Sequence, residues 1–395
     1  MNGYGSAAIN GTGNILANVL TGNTAANVLT GQQGNDTYVV DHINDKIIEI
    51  GGGGRDTVLS SVTYSLADNV EDLTLTGTAA INATGNGLAN TLTGNVAANT
   101  LTGAGGDDTY GVDNAGDEVV ESLGGGIDTV RSSISYTLVP NTENLVLTGT
   151  AAINGTGNDL DNILLGNPAD NILTGGKGSD TFGVDNIGDQ VLENAGEGTD
   201  TVQSSIDYEL VPNTENLVLT GTVAVNGTGN ALNNHLTGNT AANILNGGLG
   251  VDTLRGEAGA DTFIINTTAG GTDLVLDFDS GVDHLRIGPD FFGSRTSGGT
   301  DSSSGREYGW FRLIVFTQDI DGPITAATAA DRVSHIDYAG VYGDQLFVFD
   351  NGEDSAIFQY HASYAGGDSV VASELTLIAT LENTAQTTSL DYLFA

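Results

Sequence analysis

Residues 229–264 read Gly229-Asn-Ala-Leu-Asn-Asn-His-Leu-Thr, Gly238-Asn-Thr-Ala-Ala-Asn-Ile-Leu-Asn, Gly247-Gly-Leu-Gly-Val-Asp-Thr-Leu-Arg, Gly256-Glu-Ala-Gly-Ala-Asp-Thr-Phe-Ile. The period is nine. Position one is Gly, position six is Asn or Asp, and position eight is a large apolar residue: Leu236, Leu245, Leu254, Phe263. Six residues rich in Gly, Asn and Asp turn readily, because Gly accepts positive φ and Asx side chains bond their own backbone. The three residues that follow favour a short strand with one apolar side chain pointing inward. Two such units make one coil of about 18 residues, and stacked coils share a core that no single coil can bury. The fold class predicted is all-β, a right-handed parallel β-roll or β-solenoid.

A longer period of 72 residues encloses the short one. Asn10-Gly-Thr-Gly-Asn14 recurs as Asn82-Ala-Thr-Gly-Asn86, then at Asn154 to Asn158 and at Asn226 to Asn230. Asp36, Asp108, Asp180 and Asp252 keep the same step, as do Tyr64, Tyr136, Tyr208 and Glu71, Glu143, Glu215. The copies lie near 8–79, 80–151, 152–223 and 224–264. This divides the chain into a repeat region (1–264), an end-of-roll junction (265–292) and a small, mostly β C-terminal cap (293–395). Asn at positions two and six is read as a hydrogen-bonded ladder from coil to coil rather than as a metal ligand. The Asn-x-Thr tripeptides at Asn10, Asn154 and Asn226 are turn residues of the repeat, not glycosylation acceptors.

Composition narrows the function. Fifty acidic residues against ten basic ones, among 395, give a net charge of −40. Nucleic acid and anionic lipid need basic patches, so neither is expected, and a cation is favoured as partner. No Cys is present, so there is no disulfide framework. No apolar run approaches the ~18 residues of a membrane span, and the first residues carry no basic-then-apolar signal peptide. No catalytic constellation is found. The five His (His42, His235, His284, His335, His361) are scattered, and neither H-E-x-x-H nor G-x-S-x-G occurs. The chain is therefore read as no enzyme.

The nonapeptide G-G-x-G-x-D-x-U-x is matched at every fixed position by Gly51-Gly-Gly-Gly-Arg-Asp-Thr-Val-Leu59 and by Gly247 to Arg255, and Gly175 to Phe182 matches as far as it runs. These stretches resemble the repeats-in-toxin (RTX), or hemolysin-type calcium-binding, family. The resemblance implies several calcium ions, each between same-side turns of adjacent coils. Calcium takes six to eight oxygens and accepts backbone carbonyls as readily as carboxylates. Carried over, the turn with Gly31, Gly34 and Asp36 pairs with Gly52, Gly54 and Asp56. Gly103, Gly106 and Asp108 pair with Gly124, Gly126 and Asp128. Gly175, Gly176, Gly178 and Asp180 pair with Gly196, Gly198 and Asp200. In the fourth copy Gly247, Gly248, Gly250 and Asp252 face Gly271 and Asp273. On the opposite side Gly256, Gly259 and Asp261 face Asp279 or Asp283. The densest binding is expected near 247–283. Asp45, Asp117 and Asp189 are left open between ligation and a structural role.

Beyond Gly293 the repeat stops. Gln345 to Asp350 and Ala356 to Tyr360 read as strands, and Ile324 to Val333 as a short helix. The last residues, Asp391-Tyr-Leu-Phe-Ala395, resemble the uncleaved C-terminal signal of RTX proteins, which implies a type I secretion exporter as partner and an extracellular location. The alternative is an edge strand capping the solenoid, and the two are compatible. Two roles follow from the resemblance. One is a secreted calcium-binding protein with a structural or adhesive role, its candidate partners a surface polysaccharide or a second copy of the chain. The other is the C-terminal half of a larger serralysin-, lipase- or alginate-epimerase-like enzyme, which the start of the chain inside a repeat copy favours.

Overall fold

A computed structural model describes residues 7–266, 271–287, 298–302, 311–315, 323–333, 344–351, 353–361, 375–382, 387 and 392–394. The chain forms two compact units, Met1–Glu193 and Asn194–Ala395. Each is built on a parallel β-solenoid, as the nine-residue period predicts.

In the first unit one long sheet runs from Val19–Thr21 to Thr181–Val184, every strand pairing in parallel with the next. Its register stacks Leu20 on Tyr38, Tyr38 on Val58, Val58 on Leu73, Leu73 on Leu92 and Leu92 on Tyr110. The coils are therefore 18, 20, 15 and 19 residues long, and four of them restore the 72-residue period. These inward side chains form a continuous column of buried residues that continues through Val130, Leu145, Leu164 and Phe182. The residue before each is polar in most coils (Thr37, Thr57, Asp72, Thr91, Thr109, Thr129) and, like the one after it, is half-buried or exposed, which is the alternation a one-sided sheet requires.

The facing sheet is interrupted once per copy. Lys46–Ile48 ends one three-stranded sheet, and Tyr64–Ser65 begins the next. A cleft of about 420 Å³ lies there, lined by Asp45, Lys46, Ile47, Thr63, Tyr64 and others. Tyr64 bridges the break: its hydroxyl donates to the Asp45 carbonyl at 3.4 Å and accepts the Ile47 N–H. Burial, then the Asp45 charge, pushes its phenol up to about 12. Tyr136 is pushed to about 12 by burial and then Asp117. The period-72 tyrosines are thus tied to the places where the second sheet loses its partner strand.

The second unit has two parallel sheets of its own. Thr201–Ser204, Asn216–Leu219, His235–Thr237, Thr253–Arg255 and Asp273–Val275 form one face. Leu375–Leu381 then pairs in parallel with Asp273–Val275, and Tyr392–Phe394 with His284–Ile287. The chain end therefore supplies a last coil. Ser355–His361 and Asp344–Asp350 add antiparallel to it, followed by Phe311–Val315 and Gly298–Ser302 in parallel. The expected helix forms at Ala326–Val333, with Thr325 Oγ1 accepting the Thr328 N–H at 3.2 Å. Ala329, Ala330, Phe347, Phe349, Phe358 and Leu375 make a separate core there. The Ser294–Gly305 stretch lies partly, and Trp310, Asp391 and Ala395 wholly, outside the described residues.

Candidate metal centre

The turns that lead into the long sheet carry the expected aspartates, and backbone N–H groups link each to the next coil. The Asn18 N–H donates to Asp36 Oδ1 at 2.7 Å, the Asp36 N–H to Asp56 Oδ1 at 2.7 Å, and the Asp56 N–H to Glu71 Oε2 at 2.8 Å. The second copy repeats this from Asn90 to Asp108 (2.7 Å), Asp108 to Asp128 (2.8 Å) and Asp128 to Glu143 (2.7 Å). One oxygen of each Asp is committed to this ladder. The other, Oδ2 of Asp36, Asp56, Asp108 and Asp128, is buried without a hydrogen-bond partner. An ionised oxygen in that position costs several kcal/mol, on the order measured for unpaired buried charges. It calls for a cation or a proton.

A third carboxylate closes on each pair. Ligand atoms of Asp36, Glu49 and Asp56 lie within 4.8 Å of one another, as do those of Asp108, Glu121 and Asp128. Glu49 Oε1 accepts the Tyr38 hydroxyl and Oε2 the Ile50 N–H at 3.3 Å. Glu121 accepts the Tyr110 hydroxyl and the Ser122 N–H at 3.0 Å. In the third copy, still within the first unit, the Asn162 N–H donates to Asp180 Oδ1 at 2.7 Å and the Gly175 N–H to Glu193 Oε1 at 3.0 Å. Phe182 stands there in place of the tyrosine. In the second unit the Asp200 N–H donates to Glu215 Oε2 at 2.8 Å.

The opposite turns differ. Asp45 Oδ1 accepts the Asn27 N–H, and Oδ2 accepts those of Asp41 and His42. Asp117 and Asp189 are saturated in the same way. Between ligation and structure, the geometry gives these three a structural role. The Asn turns are ladders as expected. Asn90 donates to the Val70 and Glu71 carbonyls, and Asn86 donates to those of Ala67 and Val70.

At the junction the Asp252 N–H donates to Asp273 Oδ1 at 3.2 Å and the Asp261 N–H to Asp283 Oδ1 at 2.8 Å. Asp252 Oδ2 and Asp261 Oδ2 are again buried and unpartnered. It is Asp283 rather than the exposed Asp279 that meets Asp261, and its second oxygen accepts the Asp279 N–H at 2.8 Å. Where Glu49 would recur, 72 residues beyond Glu193, the fourth copy has the buried Ile265; its neighbour Asn266 donates to Asn246 and to the Gly248 carbonyl. Among the described residues the three-carboxylate groups therefore belong to the earlier copies and not to 247–283.

The glycines fall into three settings. A methyl on Gly31, Gly103, Gly175, Gly247 or Gly256 would land on the carboxylate of that turn's own Asp. Gly34, Gly54, Gly106, Gly126, Gly176, Gly178, Gly248, Gly250, Gly259 and Gly271 press against a backbone carbonyl of the preceding same-side turn. Gly52, Gly124 and Gly196 meet nothing and are required for their φ of +75°, +74° and +80°. Gly198 lies two residues before Asp200 in the same turn.

The RTX calcium-binding nonapeptide repeat matches this chain in four copies, at residues 12–41, 84–119, 156–185 and 228–263. The chain carries RTX calcium-binding repeats. The endo-1,3-1,4-beta-glycanase ExsH of Rhizobium meliloti (strain 1021) is similar to it, 38% identical over 77 residues. That alignment covers 20% of this chain and 14% of the glycanase.

The RTX frame of nine residues does not contain Glu49, Glu121 or Glu193, and reading by nonapeptide misses them. Their signal was the 72-residue spacing, which they share with the aspartates. Burial, reinforced by Asp56, raises the Glu49 carboxyl to about 7. Burial and Asp128 do the same for Glu121. Asp108 and Asp273 are also raised to about 7, and Asp252 and Asp261 to about 6, in each case chiefly by burial. Asp56, Asp128 and Asp283 are raised too, first by burial.

The sign of the pH effect follows. Unfolded carboxyls titrate near ~4, so between about 4 and 7 the cation-free folded RTX roll binds more protons than the unfolded chain. Stability in chelator should then rise as pH falls from 8 to 5. Thermal melts in chelator check this, and a higher midpoint at pH 8 than at pH 5 contradicts it.

The double variant Asp252→Ala/Asp261→Ala removes two unpartnered oxygens, whereas Asn18→Ala/Asn27→Ala removes side chains that accept turn N–H groups and, at Asn27, donate to Asn23. The calcium midpoint of folding should shift further upward in the first variant. An equal or larger shift in the Asn variant would place the metal in the wrong RTX turns.

Proposed function

We propose that this chain is a secreted calcium-binding RTX protein whose solenoid completes its folding on calcium outside the cell and serves a structural or adhesive role. The observation that carries it is the set of buried, unpartnered Oδ2 atoms at Asp36, Asp56, Asp108, Asp128, Asp252 and Asp261. Each stands beside a Gly-rich turn with carbonyls close by, a donor set suited to a hard cation. Bound calcium supplies positive charge that offsets the burial of these carboxylates. Asp180, Asp200, Asp273 and the paired glycines complete the proposed set of several ions. Repeat region 1–264, junction 265–292 and cap 293–395 divide the labour, the last carrying the export signal.

The test of the calcium reading is a calorimetric titration of chelator-treated protein. No binding at millimolar calcium overturns it. For export, deletion of Asp391 to Ala395 should abolish secretion from a host with a type I exporter. Undiminished secretion would leave that segment as a cap alone.

A second reading is favoured by the glycanase match. In it the chain is the calcium-binding and secretion half of a larger secreted hydrolase or epimerase, and the catalytic residues lie elsewhere. The reading frame upstream of Met1 decides between them: an in-frame catalytic domain supports the second.

A further inference from the structure

We propose that Glu49 and Glu121 are cation ligands in their own right, so that each of the first two copies holds one ion among three interior carboxylates. Tyr38 and Tyr110 act as positioning residues for those glutamates. The proposal rests on the calcium reading above and adds to it residues that lie outside the nonapeptide frame.

Three observations carry it. Two oxygens on one calcium stand at most about 5.2 Å apart, twice the longest usual bond, and the Asp36, Glu49 and Asp56 ligand atoms already lie within 4.8 Å. Asp36 Oδ2 and Asp56 Oδ2 are buried and unpartnered, as are Asp108 Oδ2 and Asp128 Oδ2. Three oxygens converge where a Cβ of Gly31 would sit, Glu49 Oε1, the Tyr38 hydroxyl and Asp36 Oδ2, and only a residue without a side chain leaves room for them; Gly103 does the same for Glu121, Tyr110 and Asp108.

A purely structural role for these glutamates has a visible counterpart in this protein. Asp45 and Asp117 fill both oxygens with backbone donors, whereas Glu49 and Glu121 take one backbone donor each, on Oε2, and a tyrosine hydroxyl on Oε1, with ligand atoms of two other carboxylates within 4.8 Å. Nor is a basic side chain the partner: Arg55, next to Asp56 in sequence, pairs with Asp72 at 2.5 Å on the outer surface. The tyrosine hydroxyl donates to the glutamate, in the manner of outer-shell partners that orient metal ligands. Phe182 removes that hydroxyl from the third copy, where Glu193 accepts the Gly175 N–H.

The experiment uses the full chain, with calcium binding measured by equilibrium dialysis and terbium as a luminescent probe excited through tyrosine. Glu49→Gln/Glu121→Gln should weaken two sites tenfold or more and lower tyrosine-sensitised terbium emission. Tyr38→Phe/Tyr110→Phe should keep the ions, with affinity reduced about tenfold, and should lose most of that emission. Circular dichroism at saturating calcium verifies folding. Should the Gln variant fail to fold, Glu49→Asp/Glu121→Asp keeps the charge and shortens the reach, and should weaken the same two sites. Unchanged stoichiometry, midpoint and emission in the glutamate variants overturns the proposal while calcium binding itself stands. A wild-type chain that binds no calcium overturns the underlying reading instead.

Discussion

Chelation is expected to destabilise the repeat region, weakening its β circular-dichroism spectrum and lowering its melting midpoint, and millimolar calcium to restore both. The net charge of −40 repels itself in any compact state, and the buried Oδ2 atoms at the turns concentrate that repulsion inside the roll. Extracellular-type sites bind at about 10⁻⁴–10⁻³ M. At ten times its dissociation constant one site contributes about 1.4 kcal/mol. Four to six sites then supply about 6–8 kcal/mol, comparable with the ~5–15 kcal/mol of a whole domain. Identical spectra in chelator and in calcium would sink the claim.

The second large effect separates structural from metal-binding turns. Asn99 is buried, its Oδ1 accepting the Asn95 N–H at 2.7 Å and its Nδ2 donating to the Ile81 carbonyl at 2.6 Å. Asn99→Ala leaves both groups buried and unpaired, at about 1–3 kcal/mol each. It should destabilise the chain by about 2–6 kcal/mol, and by the same amount with or without calcium. Asp128→Asn keeps the shape and the acceptor for the Asp108 N–H but removes a buried charge. Its cost should appear only with calcium present, and in chelator it should be neutral or stabilising. Urea titrations in both conditions measure this. A calcium-independent loss in Asp128→Asn would make that residue structural, like Asp117.

The solenoid was legible because position eight of the nonapeptide is apolar in unit after unit, and period alone then dictates stacking. Asn90 and Asn162 are legible as ladder residues for a related reason: a turn amide can donate to the carbonyls of the preceding coil, as Asn90 does to Val70 and Glu71 and Asn162 does to Thr142 and Glu143. The 20-residue coil shows in the step from Asp36 to Asp56, but the 15-residue coil that follows it does not, since the four unequal coils of a copy still sum to 72. That short coil is also why Glu71, with one more methylene, replaces Asp as the acceptor of the Asp56 N–H. Glu49 escaped notice because its side chain reaches the site from the end of a strand, a relation that exists only after the coils are stacked. The same applies to Tyr64, whose period was plain but whose task depends on a sheet break with no local signature. Asp45 lacks the Gly-rich turn that precedes Asp56, and sequence leaves its role open; the three N–H groups on its carboxylate, against one on that of Asp56, decide it.

The most direct test is an anomalous difference map from crystals grown in calcium. The account predicts ions against Asp36 and Asp56 and against Asp108 and Asp128, with none at Asp45 or Asp117. Ions at the Asp45 and Asp117 turns, or none at either aspartate pair, would contradict it.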